Sequence, residues 1–359
     1  MNMLYLAPMQ RKAIHLIILA IWFTGQVSAQ QTHPKNSPKD FGFTVFSIKG
    51  RLDSIHFIVS DTVFKQKKPI FLFSQGSLPT ALFWKEDATH TWQQFLPFLY
   101  KPYLKDYRFV IISKPAIPVF TYSADPNYLY LDPVTHKTPQ AYFDRSYLDY
   151  YVSQANEVIN YLAKQKWVDA TKIVICGHSQ GSKVVAKVGA INPHVTQVVY
   201  LSGNPLGRYD QNIRQLRKDA LWGKISNQEA QQQIDTLYTQ WATINQKPND
   251  THSAGGDTNK AWISFSKPSL NYLLKIKVPL FIGYGTADNT ADYCDLLPLD
   301  FIRLGKHNYT LKPYLGYDHN FFQATYDEEG RRISNREHWD DVAKDVFDWL
   351  KTQPTVKRR

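Results

Sequence analysis

Ser179 stands between two glycines in Gly177-His178-Ser179-Gln180-Gly181, a G-x-S-x-G spacing. A serine so placed can serve as a nucleophile where a sharp turn, a nucleophile elbow, lifts it off a strand end and onto a helix start. Such a turn is crowded. Positions two before and two after the serine must be nearly free of side chain, which Gly177 and Gly181 satisfy. The helix start sets backbone N–H groups and a positive dipole end beside the serine oxygen. The chemistry this allows is acyl transfer. A hydroxyl is a poor nucleophile near neutral pH, so it needs a base within hydrogen-bond reach and an acid that holds the base's tautomer.

The flanking residues suit the turn. Lys172-Ile173-Val174-Ile175-Cys176 is a continuous apolar run, as expected of a strand buried on both faces. Residues 181–190 keep small side chains near the serine and apolar ones at helical spacing. Strand, elbow and helix together resemble the α/β-hydrolase superfamily, and the resemblance extends over most of the chain beyond residue 29. Ser182 departs from the pattern, since the family usually has a further glycine there.

In that family the order along the chain is nucleophile, acid, histidine. The resemblance implies Asp288 as the acid, because the apolar run 278–284 leads into Gly285-Thr286-Ala287-Asp288. Asp292 is the nearest competitor and would sit about one helical turn further on. His319, in Gly316-Tyr317-Asp318-His319-Asn320-Phe321-Phe322 after a strand-like 308–315, is similar to the family's catalytic-histidine loop. His307 starts that strand, at the wrong end of a sheet; His338 starts a final helix; His252 lies in a polar loop. Singly, an aspartate after a strand is an ordinary turn residue and a loop histidine is a solvated one. In order, each at a strand's carboxyl end, Ser179, Asp288 and His319 make a triad.

A tetrahedral intermediate also needs two N–H donors. The resemblance implies the backbone N–H of Gln180 as one. The other comes from the 74–78 loop, where the family's His-Gly pair appears as Gln75-Gly76 and the donor falls on Ser77, with the position open by one residue. The implied activity is that of an exported serine hydrolase that cleaves a carboxylic ester through an acyl-enzyme, without a cofactor. An exopeptidase or amidase with the same triad is the alternative, and a catalytically silent binding protein on the same scaffold is a third reading. A base that must be neutral predicts loss of activity below a pH of ~6–7.

Composition narrows the partners. The chain has 359 residues, 43% hydrophobic and 20% charged, as in ordinary globular proteins. Its 22 Tyr, 20 Phe and 9 Trp are mostly expected in the core. Net charge is +11, but the basic residues are dispersed and no nucleic-acid-binding signature accompanies them. Cys176 and Cys294 carry no metal-ligand spacing, and a buried reduced Cys176 is expected rather than a bridge. The partner that the resemblance implies is a small ester, amide or peptide, with no nucleic acid.

Arg11-Lys12, the apolar run 13–23 and Val27-Ser28-Ala29 read as a cleavable export signal over 1–29. The run is too short to span a bilayer, so no stable membrane insertion is expected after cleavage.

Strands over 41–48 and 52–59 open the fold as an antiparallel pair, then strands at 70–73, 108–112, 172–176 and 196–201 alternate with helices. A helix is expected near 89–100, and a long one from 148, with Leu148, Tyr151, Val152, Ala155, Val158, Ile159 and Leu162 on one face. The fold class is α/β, a mostly parallel sheet with helices on both faces. Residues 30–203 form the first part of the core and 278–352 the second, with a polar linker at 30–40 and a basic tail at 353–359.

Between them, 204–277 reads as a helical lid. Ser226-Asn227-Gln228-Glu229 is a capping box, and Ala230, Ile234, Leu237, Trp241 and Ile244 repeat at helical spacing. Tyr122 to Pro139 is a long loop that either reaches the site or stays at the surface.

Overall fold

The strand that carries the elbow explains the architecture around it. The computed structural model describes residues 37–85, 91–93, 95–122, 129–253, 256–326, 328 and 332–354, all within the unit 34–359. In strand Val168–His178 the last six residues are buried. Ile173 and Ile175 enter one hydrophobic layer, Val174 and Cys176 the other. A period of two with both sets apolar is what a strand covered on both faces requires.

The main sheet consists of β1 (Phe43–Lys49), β2 (Ser54–Ser60), β3 (Lys68–Ser74), β4 (Arg108–Ile112), β5 (Val168–His178), β6 (Gln197–Leu201), β7 (Leu280–Gly285) and β8 (Tyr309–Tyr314). Their spatial order is β1-β2-β4-β3-β5-β6-β7-β8. β2 runs antiparallel to both of its neighbours, and the remaining pairs are parallel. β5 sits mid-sheet between β3 and β6, with Ser74 opposite Gly177 and His178 opposite Leu201. That register brings the end of β3 and its following loop beside the nucleophile.

Seven longer helices are described: α1 (Leu148–Leu162), α2 (Gln180–Ile191), α3 (Arg208–Leu221), α4 (Asn227–Gln246), α5 (Asn259–Ser266), α6 (Ala291–Arg303) and α7 (Trp339–Thr352). α1, α2, α5 and α6 cover one face of the sheet, whereas α7 covers the other among aromatic residues. The expected face of α1 is buried at all seven positions. Tyr103 stacks on Phe347 of α7 with ring centroids 3.8 Å apart, so much of the aromatic content is core. Arg108 is 1% exposed, and its guanidinium is satisfied by Asp61 at 2.9 Å and by the carbonyls of Gln66 and Trp167, as burial of a charge demands.

Two expectations are corrected. No helix occupies 89–100 among the described residues: Thr91–Gln93 is a short strand antiparallel to Phe83–Lys85, and 95–100 is irregular. Pro97 has no N–H to continue a helix, and Phe95, Phe98 and Tyr100 bury their rings against the sheet without one. Within the expected linker, Pro38–Phe41 forms a 3-10 turn whose start is closed by Ser37 and Asp40. The expected signal peptide and residues 355–359 of the basic tail lie outside the described residues. Among the described residues no helix is long and apolar enough to cross a membrane.

Residues 204–277 contain α3, α4, α5 and the turn Leu270–Leu273. Ser226 Oγ accepts from Glu229 N–H at 3.1 Å, while Glu229 Oε2 accepts from Ser226 N–H at 2.8 Å. Along α4 from residue 230 onward, the positions that escape full exposure are 230, 234, 237, 241 and 244. α3 has no buried residue, whereas Ala261, Phe265, Leu273 and Ile276 join the main core. The outer half of this insertion is thus α3 and α4, anchored through α5.

Candidate active site

Glycine is obligatory at both flanks of Ser179. A Cβ on Gly177 would lie 2.2 Å from the carbonyl oxygen of Gly181, and one on Gly181 would lie 2.0 Å from that of Ser74. Ser179 itself is held at φ 56°, ψ −120°, outside the relaxed regions for an L-residue. It sits directly before α2, with its N–H bonded to the Leu201 carbonyl at 3.1 Å. β6 therefore clamps the turn from one side and the β3 loop from the other. Ser182, the departure from the family pattern, is fully buried and donates from Oγ to the Ser179 carbonyl at 2.5 Å.

The structure brings the three sequence-chosen side chains together. His319 Nε2 lies 2.9 Å from Ser179 Oγ, and His319 Nδ1 lies 2.7 Å from Asp288 Oδ2. Asp288 follows the end of β7 with its carboxylate fully buried, and its other oxygen accepts from Thr290 N–H at 3.0 Å. A carboxylate so held is an acceptor for Nδ1–H, which leaves Nε2 free of its proton and aimed at the hydroxyl. Burial works against charging His319, but the hydrogen bond it donates to Asp288 and the negative charge of that carboxylate outweigh this and raise the imidazole above its ordinary value.

Acid and histidine meet because their segments touch. A Cβ on Gly285 would fall 2.1 Å from the Tyr317 carbonyl oxygen. Ala287 N–H donates to that same carbonyl at 2.9 Å, and Gly316 N–H donates to Thr286 Oγ1 at 2.8 Å. The histidine loop is thereby stitched to the end of β7.

The competitors lie elsewhere. Asp292 is on α6, paired with Arg214 and with Lys218 at 3.3 Å, so it ties α3 to the core. His338 precedes α7 and bonds Asp341 at 2.7 Å. His252 is exposed in the loop before α5, and His307 precedes β8.

Of the expected oxyanion donors, Gln180 is the first residue of α2. The 74–78 loop passes over the serine, with the Cβ direction of Gly76 3.9 Å from Ser179 Cβ; Ser77 follows at the lip of the cleft. A cleft of about 500 Å³ opens between this loop and the histidine loop, lined by Phe73, Leu78, His178, Asn320, Glu337 and Trp339 among others. Its size suits a small organic substrate.

Sequence reasoning passed over His178. It is buried, and Nε2 donates to the His319 backbone carbonyl at 2.9 Å. Burial, with the neighbouring His319, pushes its imidazole down to about 4, so it stays a neutral donor at working pH. Its place inside the motif was the available signal. Cys176 and Cys294 are both buried and free, the latter with Sγ 3.3 Å from the Gly203 carbonyl. Among the described residues no three His, Cys, Asp or Glu side chains are grouped to hold a metal ion.

No family model matches the sequence, and no curated protein matches it. Solved structures do. An acylaminoacyl peptidase of Pyrococcus horikoshii aligns over 88% of this chain at 12% identity with a TM-score of 0.52. The chain has the α/β-hydrolase fold. The dipeptidyl peptidase 4 of Porphyromonas gingivalis aligns over 87% of the chain at 12% identity and a TM-score of 0.50. A Bacteroides ovatus structure provisionally assigned as a dipeptidyl aminopeptidase IV gives 14% identity and a TM-score of 0.52 over the same 87%. This chain spans 42%, 35% and 36% of the length of those three proteins respectively, so the likeness is to one part of each.

Proposed function

We propose that this α/β-hydrolase-fold chain is a serine hydrolase that cleaves a carboxylic ester. The observation that carries the reading is the unbroken relay from Ser179 Oγ through His319 to Asp288, at 2.9 and 2.7 Å. Ser179 Oγ attacks the carbonyl carbon while His319 Nε2 takes the hydroxyl proton. Asp288 holds the resulting imidazolium. The N–H groups of Gln180 and Ser77 receive the oxyanion. On collapse, His319 returns its proton to the leaving oxygen and an acyl-enzyme remains. Water, deprotonated by His319, then releases the acid and restores Ser179.

Export through the segment 1–29 and a lid role for 204–277 belong to the same reading. The signal pattern supports the first, and the sparsely buried α3 and α4 support the second.

A second reading is an exopeptidase with the same relay, favoured by the peptidases among the structural neighbours. The two part on a substrate panel. Turnover of p-nitrophenyl acyl esters, with aminoacyl-naphthylamides slower by orders of magnitude in kcat/KM, is the expected result. The reverse order would establish the peptidase.

A further inference from the structure

Lys114, just beyond the end of β4, is 6% exposed, yet among the described residues no carboxylate forms an ion pair with it. Burial without an adjacent opposite charge disfavours the ammonium form and pulls the amine down to about 7. Its contacts show where the group is directed. Nζ donates to the Gly76 carbonyl at 2.5 Å, lies 3.5 Å from Gln180 Oε1, and sits 4.6 Å from the ring centre of Tyr151. One buried amine thus touches the Gly76 carbonyl and the side chain of Gln180.

The Gly76 carbonyl belongs to the same peptide unit as the Ser77 N–H. In a trans peptide, and no cis bond occurs among the described residues, C=O and N–H point in opposite directions. Drawing the oxygen inward onto Lys114 turns the Ser77 N–H outward, away from the buried face. The next carbonyl is held as well: Tyr142, 4% exposed, donates from its hydroxyl to the Ser77 oxygen at 2.8 Å. The Tyr130 N–H anchors the loop further on, at the Pro79 carbonyl, 2.8 Å away. Both peptide units around Ser77 are therefore fixed by side chains from distant parts of the chain.

We propose that Lys114 and Tyr142 are positioning residues that orient the Gly76–Ser77 and Ser77–Leu78 peptides so that the Ser77 N–H serves as an oxyanion donor. The proposal rests on the serine-hydrolase reading and extends it. A hydrogen bond donated to the carbonyl also polarises the amide, which strengthens its N–H as a donor. Preorganised donors act on charge that develops in the transition state, so their loss lowers kcat more than it raises KM.

The test compares wild type, Lys114→Met and Tyr142→Phe with p-nitrophenyl acetate, and measures inhibition by an aryl trifluoromethyl ketone, which forms a tetrahedral adduct on serine. Thermal unfolding establishes that each variant is folded. Losing one oriented donor through its support is expected to lower kcat about 10- to 100-fold in Lys114→Met, with KM within about twofold. Tyr142→Phe should lose about 3- to 10-fold, and the ketone should weaken by the same factor as kcat in each.

Folded variants with wild-type kcat and ketone affinity, or with raised KM alone, overturn the proposal. If Lys114→Met does not fold, Tyr142→Phe decides by the same criterion. A folded wild type with neither turnover nor adduct refutes the hydrolase reading itself, and the proposal falls with it.

Discussion

His178 Nε2 donates to the backbone carbonyl of His319 at 2.9 Å. The residue before the nucleophile therefore braces the loop that carries the base, and the elbow and the histidine loop are coupled through one hydrogen bond. His178→Ala should leave the fold in place and lower kcat about tenfold, roughly 1.4 kcal/mol at the transition state. Steady-state kinetics beside a melting curve checks this. An unchanged kcat in a folded variant would remove His178 from the account.

The pH dependence follows from His319. Activity requires its neutral form, and Asp288 raises the imidazole against the opposing effect of burial. Activity should therefore be complete on the alkaline side and fall as pH drops through a value above the ordinary imidazole one. In Asp288→Asn the raising charge is gone while burial remains, so the acid limb should move to lower pH. The rate should fall about 10³- to 10⁴-fold as well, because the tautomer is no longer held. A pH–kcat/KM profile of both proteins tests direction and sign. His178 charges only near pH 4 and adds nothing in this window.

Gly285 is where the acid strand and the histidine loop come closest, 2.1 Å for an added Cβ against the Tyr317 carbonyl. Gly285→Ala must push backbone from backbone. It should destabilise the protein by about 1–3 kcal/mol and separate Asp288 from His319. Chemical denaturation and the rate should report both losses together; a rate loss without a stability loss would contradict the steric account.

Asp292 links α3 to α6 through Arg214 and Lys218. These groups are partly exposed, so Asp292→Ala should change stability by less than about 1 kcal/mol. If α3 and α4 act as a lid, its release should still alter selectivity among esters of different acyl length, and added salt should do the same to wild type. Identical selectivity in variant and wild type would argue for a purely structural insertion.

Much of the site was legible because its constraints are local. Two glycines, a strand of continuous apolar residues and a helix of small ones specify the elbow within residues 172–190. Asp288 and not Asp292 could be chosen because a strand end and a helical turn later are different places on the sheet. The stripe on α4 was equally plain, since capping and periodicity both lie within one element.

What distant segments build together was not legible. Lys114 reads as a strand-end lysine and Tyr142 as one tyrosine among 22; only the folded chain places them on the Ser77 peptides. The helix expected near 89–100 failed for a like reason: Phe95, Phe98 and Tyr100 bury their rings against the sheet in an irregular segment that Pro97 keeps from coiling.

The central claim is an activated Ser179, and reaction of the purified protein with a fluorophosphonate probe tests it most directly, with Ser179→Ala run alongside. The account predicts stoichiometric labelling of wild type, its loss in Ser179→Ala, and labelling that weakens as pH falls and His319 becomes charged. Folded wild type that remains unlabelled, or equal labelling of Ser179→Ala, would contradict it.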